Sequence, residues 1–392
     1  PLQSSSTIGM NPNLKPEKTS SIEAGFEAAF LDNRLYLDFT YYKTDSRNQI
    51  LKLATTAASG YTSQVRNAGH IRNRGYEIQL GAVPIQTSKG FRWNLDLNYG
   101  ANRSKVIKLD DEGLITSYQL YSSGIQILAS VGEAYGTLYG TSYVRDANGS
   151  IVVDANGLPK ISTTNKTLGK FTPDWTGGVS NTFSYRSLSL SFLIDASVGG
   201  SIFSNTNKTG KYTGVLANTL PGRDAEHGGL WYYTDAMGNN VRLSEPPSYS
   251  ISSDGLYYAH VNGQSTRVYQ DGIIVEGVTE SGSKNEKVVS AEKYYHRIYS
   301  IAESNVYDAS YVKLREVALS YRLPRLWTQK LHLQEASVTL TWQSPSDRAR
   351  KVSMYLRSPP EPFPANCSVP PPPVSAPPRY SILAGSYCMV TV

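Results

Sequence analysis

Hydrophobic and polar residues alternate along eight stretches of this chain. Within residues 306–324, Val317, Leu319, Tyr321 and Leu323 oppose Ala318, Ser320 and Arg322, the period-two pattern of a strand with one apolar face. The first half of that stretch runs in the opposite phase, with Val312 and Leu314 against Lys313 and Arg315. A slip of one residue near Glu316 predicts a β-bulge. Pro324 ends the strand, because proline has no N–H to give a ladder.

The remaining stretches obey the same rule. Ile22, Ala24, Phe26, Ala28 and Phe30 oppose Glu23, Gly25 and Glu27; after the turn LDNR, Leu35, Leu37, Phe39 and Tyr41 oppose Tyr36, Asp38, Thr40 and Tyr42. A third strand carries Tyr76, Ile78, Leu80 and Ala82, with the chain expected to turn over residues 84–90. The fourth alternates Phe91, Trp93, Leu95, Leu97 and Tyr99 with Arg92, Asn94, Asp96 and Asn98. Val179, Asn181, Phe183 and Tyr185 mark the fifth, and a minimal turn at Arg186 leads to Leu188, Leu190, Phe192 and Ile194 in the sixth. Ala336, Val338, Leu340 and Trp342 mark the eighth.

The connections alternate between short and long, the longest exceeding 110 residues (198–309). Strands of about 9 to 11 residues cross a bilayer at the tilt of a barrel. Outer-membrane barrels place tight turns at one rim and long loops at the other. The expected fold class is therefore all-β, a transmembrane antiparallel β-barrel. Alternation alone fits a half-buried sheet equally well, so a soluble or surface adhesin-like β-sheet carbohydrate-binding protein is the rival reading. On the barrel reading the apolar faces meet lipid. Glu23, Glu27, Asp38, Arg92, Asp96, Asp195 and Glu335 then face the lumen or the rims, since a charge turned to lipid costs about 2–4 kcal/mol near the midplane. Tyr41, Tyr99, Tyr185 and Tyr321 near strand ends suit interfacial girdles, or are ordinary strand formers.

Composition agrees with strands and turns: 28 Tyr, 32 Gly and 18% charged residues among 392. Mean hydropathy is -0.35 and no run of about 18 apolar residues offers a membrane helix, which leaves a barrel untouched because every second strand residue faces water. The opening residues have neither a starting Met nor a signal-like apolar core, so the chain is expected to be a fragment. Half of the net charge of +6 comes from residues 343–392, and no basic cluster interleaves with aromatics, so no nucleic-acid partner is expected. Residues 1–341 are read as barrel. Residues 342–392 hold eleven of the 21 prolines and both cysteines, Cys367 and Cys388, and are read as a Pro-rich linker or a shifted reading frame outside any sheet.

Little chemistry is placed for catalysis. Five histidines (His70, His227, His260, His296, His332) lack ligand spacing. GRDAEHGG at 222–229 gathers Asp224, Glu226 and His227 without a nucleophile or a second positioned carboxylate, and reads as a solvated loop. DANG occurs at 146–149 and again at 154–157; position 12 from Asp146 is Gly157, not the glutamate of a calcium loop, so Asn-Gly turns are expected. No phosphate loop or nucleophile elbow occurs, and no enzyme, metal or cofactor is expected.

Five segments in fixed order resemble the SusC/RagA family of TonB-linked outer-membrane transporters: NPNLKPEKT (11–19), GYTSQVRNAGHIRNRGYEIQL (60–80), VGEAYGTLYGTSYVRDANG (131–149), LGKFTPDWTGGVSNTFSYRSLSLSFLIDASVGGSIFS (168–204) and YVKLREVALSYRLP (311–324). The resemblance implies the C-terminal part of a 22-stranded barrel, incomplete here, its eight strands corresponding to the fourteenth to the twenty-first. It implies TonB-energised import of a bulky nutrient, an oligosaccharide or a peptide, with a SusD-like surface lipoprotein over the loops and the TonB–ExbB–ExbD complex acting on a plug. A truncated product without function is a further alternative. Within such loops, Trp231, Tyr232, Tyr233, Tyr257 and Tyr258 are candidates to stack on sugar rings, or to pack the loops against each other.

Overall fold

The computed structural model describes residues 8–54, 60–110, 113, 115–330, 333–343, 351–357 and 387–391. Ten strands form one antiparallel sheet in which neighbours in space follow one another along the chain. They are β1 (Lys18–Phe30), β2 (Leu35–Arg47), β3 (His70–Gln86), β4 (Phe91–Lys108), β5 (Trp175–Tyr185), β6 (Leu188–Val198), β7 (Tyr311–Arg322), β8 (Glu335–Gln343), β9 (Lys351–Arg357) and β10 (Tyr387–Thr391). Among the described residues β1 and β10 are edges, and the sheet does not close on itself.

The eight strands read from sequence are β1 to β8. Their tight connections fall at one end and their long ones at the other. Residues Leu31, Asp32 and Asn33 of the first turn all have φ between 53° and 63°, and Arg186 turns β5 into β6 at φ 53°. Thr87 closes the β3–β4 turn, donating its N–H to the Phe91 carbonyl (2.8 Å) and accepting the Phe91 N–H on Oγ1 (3.1 Å).

The slip in β7 is a bulge. Leu193 pairs with Glu316 and Ile194 with Leu314, which leaves Arg315 as the extra residue. Val312 and Leu314 before it thus share the outward face with Val317, Leu319 and Tyr321 after it, although their sequence phases differ. Arg315 is re-aimed onto Asp195, donating from Nε (2.9 Å) and Nη2 (2.6 Å), while the Tyr311 hydroxyl donates to the same oxygen (3.2 Å).

Three expectations change. The turn expected from Pro84 begins after Gln86: the ladder is irregular between Ala82 and Ile85, and Pro84 sits at that bulge, where no N–H is required. β3 starts at His70 rather than Tyr76, and β4 runs on to Lys108. These extensions are mostly polar, with Ile71 and Val106 buried but without a regular apolar alternation, so the ladder continues where the period-two signal has faded; Asp45 of β2 ties the β3 extension, accepting from His70 Nε2 (2.5 Å) and Arg72 Nε (2.9 Å). Lastly, residues after Thr341 were expected outside the sheet, yet β9 and β10 pair onto it. Both segments are free of proline and keep a full set of N–H donors. The other residues of 344–392 lie outside the described ones.

The pleat separates two surfaces. Register carries Leu37, Leu80, Leu97, Val179, Ile194 and Leu314 across six strands on one face, and Leu190, Leu319 and Leu340 form an exposed row beside them. On the opposite face Asp38, Gln79, Asn98, Gly178, Asp195 and Lys313 align. Gly75 lies on this polar face because a Cβ there would strike the Ala101 carbonyl and the Tyr42 ring laid over it. Tyr76, Tyr99 and Trp175 form an aromatic row at the long-connection end, with centroids 5.9 and 5.4 Å apart, while Tyr185 and Tyr321 stand exposed at the other. From Trp175 to Tyr185 the chain extends about 33 Å, which a tilt of about 40° turns into a height of about 25 Å, that of a lipid-facing band.

Candidate functional site

Buried apolar clusters lie in the long connections, one of them shared with Val106 at the end of β4. Residues 109–174 and 199–310 pack into a single body, with Val153 and Leu158 of the first against Val275 and Val289 of the second, and Ile125 and Leu138 against Ala302. Hydrogen bonds fix the joint. Glu303 accepts the Tyr143 N–H (2.9 Å) and Arg145 Nη2 (2.7 Å), Thr141 Oγ1 donates to the Ser300 carbonyl (2.8 Å), and Arg297 pairs with Asp154 (3.0 Å). Burial pushes the Tyr143 phenol up to about 12, so it stays neutral at the joint. Two short helices complete the body: α1 (Asn205–Thr213), capped by Ser204 Oγ, and α2 (Ala291–Tyr299), capped by Ser290 Oγ, with Tyr212 stacked on His296 at 4.2 Å.

Both DANG segments are turns. Asp146 Oδ1 accepts the N–H groups of Asn148 (3.0 Å) and Ser150 (2.8 Å), and Asp154 Oδ1 those of Asn156 (2.9 Å) and Leu158 (3.1 Å). Gly149 and Gly157 supply φ of 84°. A third copy, DAMG at 235–238, folds identically, with Asp235 Oδ1 accepting from Met237 and Asn239. With Met237 in place of Asn, it carries no Asn-Gly signal in its sequence. Backbone N–H donors, that of Asn239 foremost, hold the Asp235 carboxyl below its usual range. In the 222–229 segment, Asp224 Oδ1 bonds both the N–H of His227 (2.9 Å) and its Nδ1 (2.7 Å), and the hydrogen bond from His227 lowers the Asp224 carboxyl. Among the described residues no three His, Cys, Asp or Glu converge as metal ligands.

The five candidate aromatics divide. Trp231 and Tyr232 are buried on opposite faces of the strand Leu230–Thr234. Trp231 packs on Ala259 and Val268, with Tyr249 at 5.2 Å and Tyr257 edge-on at 5.8 Å. Tyr232 stacks on Tyr269 at 5.1 Å and donates to Asp271 Oδ1 (3.0 Å). Tyr233 is partly buried against the Trp231 cluster, and Tyr258 pairs across strands with Arg267. Tyr257 alone of the five borders a cavity of about 590 Å³, also lined by Arg223, Glu226, Arg267, Tyr269 and Asp271. Arg267 lies over the Tyr269 ring at 4.8 Å, leaving planar cation and phenol together at the wall.

Burial raises the Asp271 carboxyl, an effect opposed by the Tyr232 hydroxyl. With a folded pKa above the unfolded one, Asp271 contributes its full stability below about pH 3.8 and loses it as pH rises through the folded value. Tyr232→Phe removes the donor and is expected to cost the loop body about 1 kcal/mol at neutral pH, allowing for partial exposure. The cost should shrink toward pH 3, where Asp271 is neutral. Thermal melting of the loop body across pH checks this, and a pH-independent cost would contradict it.

Ten consecutive antiparallel strands, of which β1 to β8 carry an apolar outer face and a polar inner face with tight turns at one rim and a folded loop body at the other, define the wall of a barrel of the outer-membrane type. The chain belongs to the family described as TonB dependent receptor-like, beta-barrel, which matches residues 1–213. It is similar to TonB-dependent receptor P3 of Formosa agariphila (32% identical, covering 50% of this chain and 22% of the relative) and to TonB-dependent receptor SusC of Bacteroides thetaiotaomicron (29%, covering 49% and 20%). The chain thus spans about a fifth of these relatives. Among solved structures it is similar to the RagAB peptide transporter, with a TM-score of 0.53, 20% identity, and coverage of 85% of this chain and 32% of the other. That likeness is one of fold. Barrels of this family belong to the outer membrane of Gram-negative bacteria.

Proposed function

We propose that this chain supplies barrel wall and extracellular loops to a TonB-dependent importer of a bulky nutrient, an oligosaccharide or a peptide, working with a SusD-like surface lipoprotein and energised by TonB–ExbB–ExbD. The observation that carries the reading is the sorting of surfaces: an apolar belt on one face, charges aligned on the other, and one cohesive loop body at a single rim. Such a body gives a lipoprotein lid a firm surface to close on. The wall's polar face presents Asp38, Asp195 and Lys313 to passing cargo.

Of the five loop aromatics, Tyr257 is the one placed to touch cargo, being at a cavity wall, while Trp231 and Tyr232 hold the loop's shape. The test is uptake by cells carrying the intact receptor, with and without TonB, on oligosaccharides and on peptides. Energy-dependent uptake of one class supports the reading; uptake of both unchanged by loss of the receptor would end it. Tyr257→Ala should weaken cargo binding, and loss of its edge contact with Trp231 should cost the loop body about 1 kcal/mol.

A further inference from the structure

The connection between β7 and β8 differs from the other tight turns in carrying a helix, α3 (Arg325–Lys330). Thr328 is its buried residue, with Oγ1 donating to the Arg325 carbonyl (3.1 Å) and its own carbonyl accepting the Leu333 N–H (2.8 Å). Thr328 therefore marks the side turned to protein. At about 100° per residue, Leu326 and Lys330 lie on the far side and Trp327 on a flank. Leu326 is 74% exposed and Trp327 59%, large for residues of their type.

What covers them follows from their surroundings. The outward face of the strands at this rim is itself exposed and apolar: Tyr185, Leu188 and Tyr321 lie beside the turn, with Leu188 and Tyr321 in register. α3 begins four residues after Tyr321, at the edge of that belt. Charge points the same way: Arg322 is paired with Glu335 at 2.9 Å, whereas Arg325 and Lys330 are exposed and have no acidic partner among the described residues. An apolar flank with an aromatic ring and free cations at a barrel rim is the composition of a segment lying in a headgroup layer.

We propose that α3 is an interfacial anchor for the leaflet at the tight-turn rim, Leu326 and Trp327 entering the boundary of acyl chains and headgroups while Arg325 and Lys330 engage the phosphate of anionic phospholipid. This rests on the barrel reading.

The test places nitroxides singly at Leu319, Leu326, Trp327 and Met237 of the intact receptor in vesicles of phosphatidylethanolamine and phosphatidylglycerol. Met237, 84% exposed at a loop tip, is the aqueous reference. Labels at 319, 326 and 327 are expected to meet oxygen more than a nickel chelate, the reverse of 237. Replacing phosphatidylglycerol by phosphatidylcholine, or introducing R325Q with K330Q, should raise nickel access at 327 several-fold. An aqueous label at 319 overturns the barrel reading itself. Lipid-exposed 319 with aqueous 326 and 327, or with labels shielded from both reagents by protein, overturns the anchor alone, and indifference to phosphatidylglycerol removes the phosphate contact.

Discussion

Leu319→Arg is expected to destabilise the wall by about 1–3 kcal/mol in a bilayer, between the midplane and interfacial costs, whereas Ser320→Arg, one residue on, should change it by no more than about 0.5 kcal/mol. Leu319 sits in the exposed row with Leu190 and Leu340, three residues inside the tight-turn end of β7. A guanidinium there has no water within reach except by distorting lipid. Ser320 points to the polar face, where its hydroxyl shares a 2.8 Å hydrogen bond with Thr339, and an arginine can extend into water. Denaturant titration of the intact receptor folded into vesicles measures both. Equal costs, or none at Leu319, would mean that the belt does not face lipid.

The second large effect belongs to the loop body. Leu138 is 3% exposed and meets Ile125 and Ala302 where residues 109–174 join residues 199–310. Leu138→Ala is expected to remove about 2–5 kcal/mol from that joint, transfer and cavity terms combined. Since the sheet takes no part in this cluster, the loss should be local. Hydrogen exchange should speed up around residues 125–140 and 300–306, and proteases should cut the loops while β1 to β8 keep their protection. Exchange that rises uniformly through the strands would show that loops and wall unfold as one unit.

Strands facing two solvents declare themselves in sequence, because each residue must match one of them. Phe91 to Tyr99 was legible for that reason, and so was the bulge at Arg315, where the phase had to slip if Leu314 and Val317 were to share a face. Strand ends beyond the band were not. His70 to Gly75 holds a single apolar residue, Ile71, and its ladder rests on cross-strand pairs such as Arg72 with Asp45 that no local periodicity reports. Loop aromatics were the hardest to judge. Trp231 and Tyr232 are adjacent and chemically alike to a reader of sequence, yet both are buried because pairing with the distant strand Gln264–Ile274 puts Val268 and Tyr269 against them. Their burial depends on contacts more than thirty residues away.

The Asx turns bear on how the molecule ages. Deamidation at Asn-Gly needs the glycine nitrogen to attack the preceding side-chain amide, expelling ammonia and closing a succinimide. At Asn148 and Asn156 that nitrogen is held elsewhere: Gly149 N–H donates to the Asp146 carbonyl (3.1 Å) and Gly157 N–H to that of Asp154 (2.9 Å). Two sequences that would hydrolyse quickly in an unfolded peptide are thus kept from cyclising, and the folded loop protects its own covalent structure.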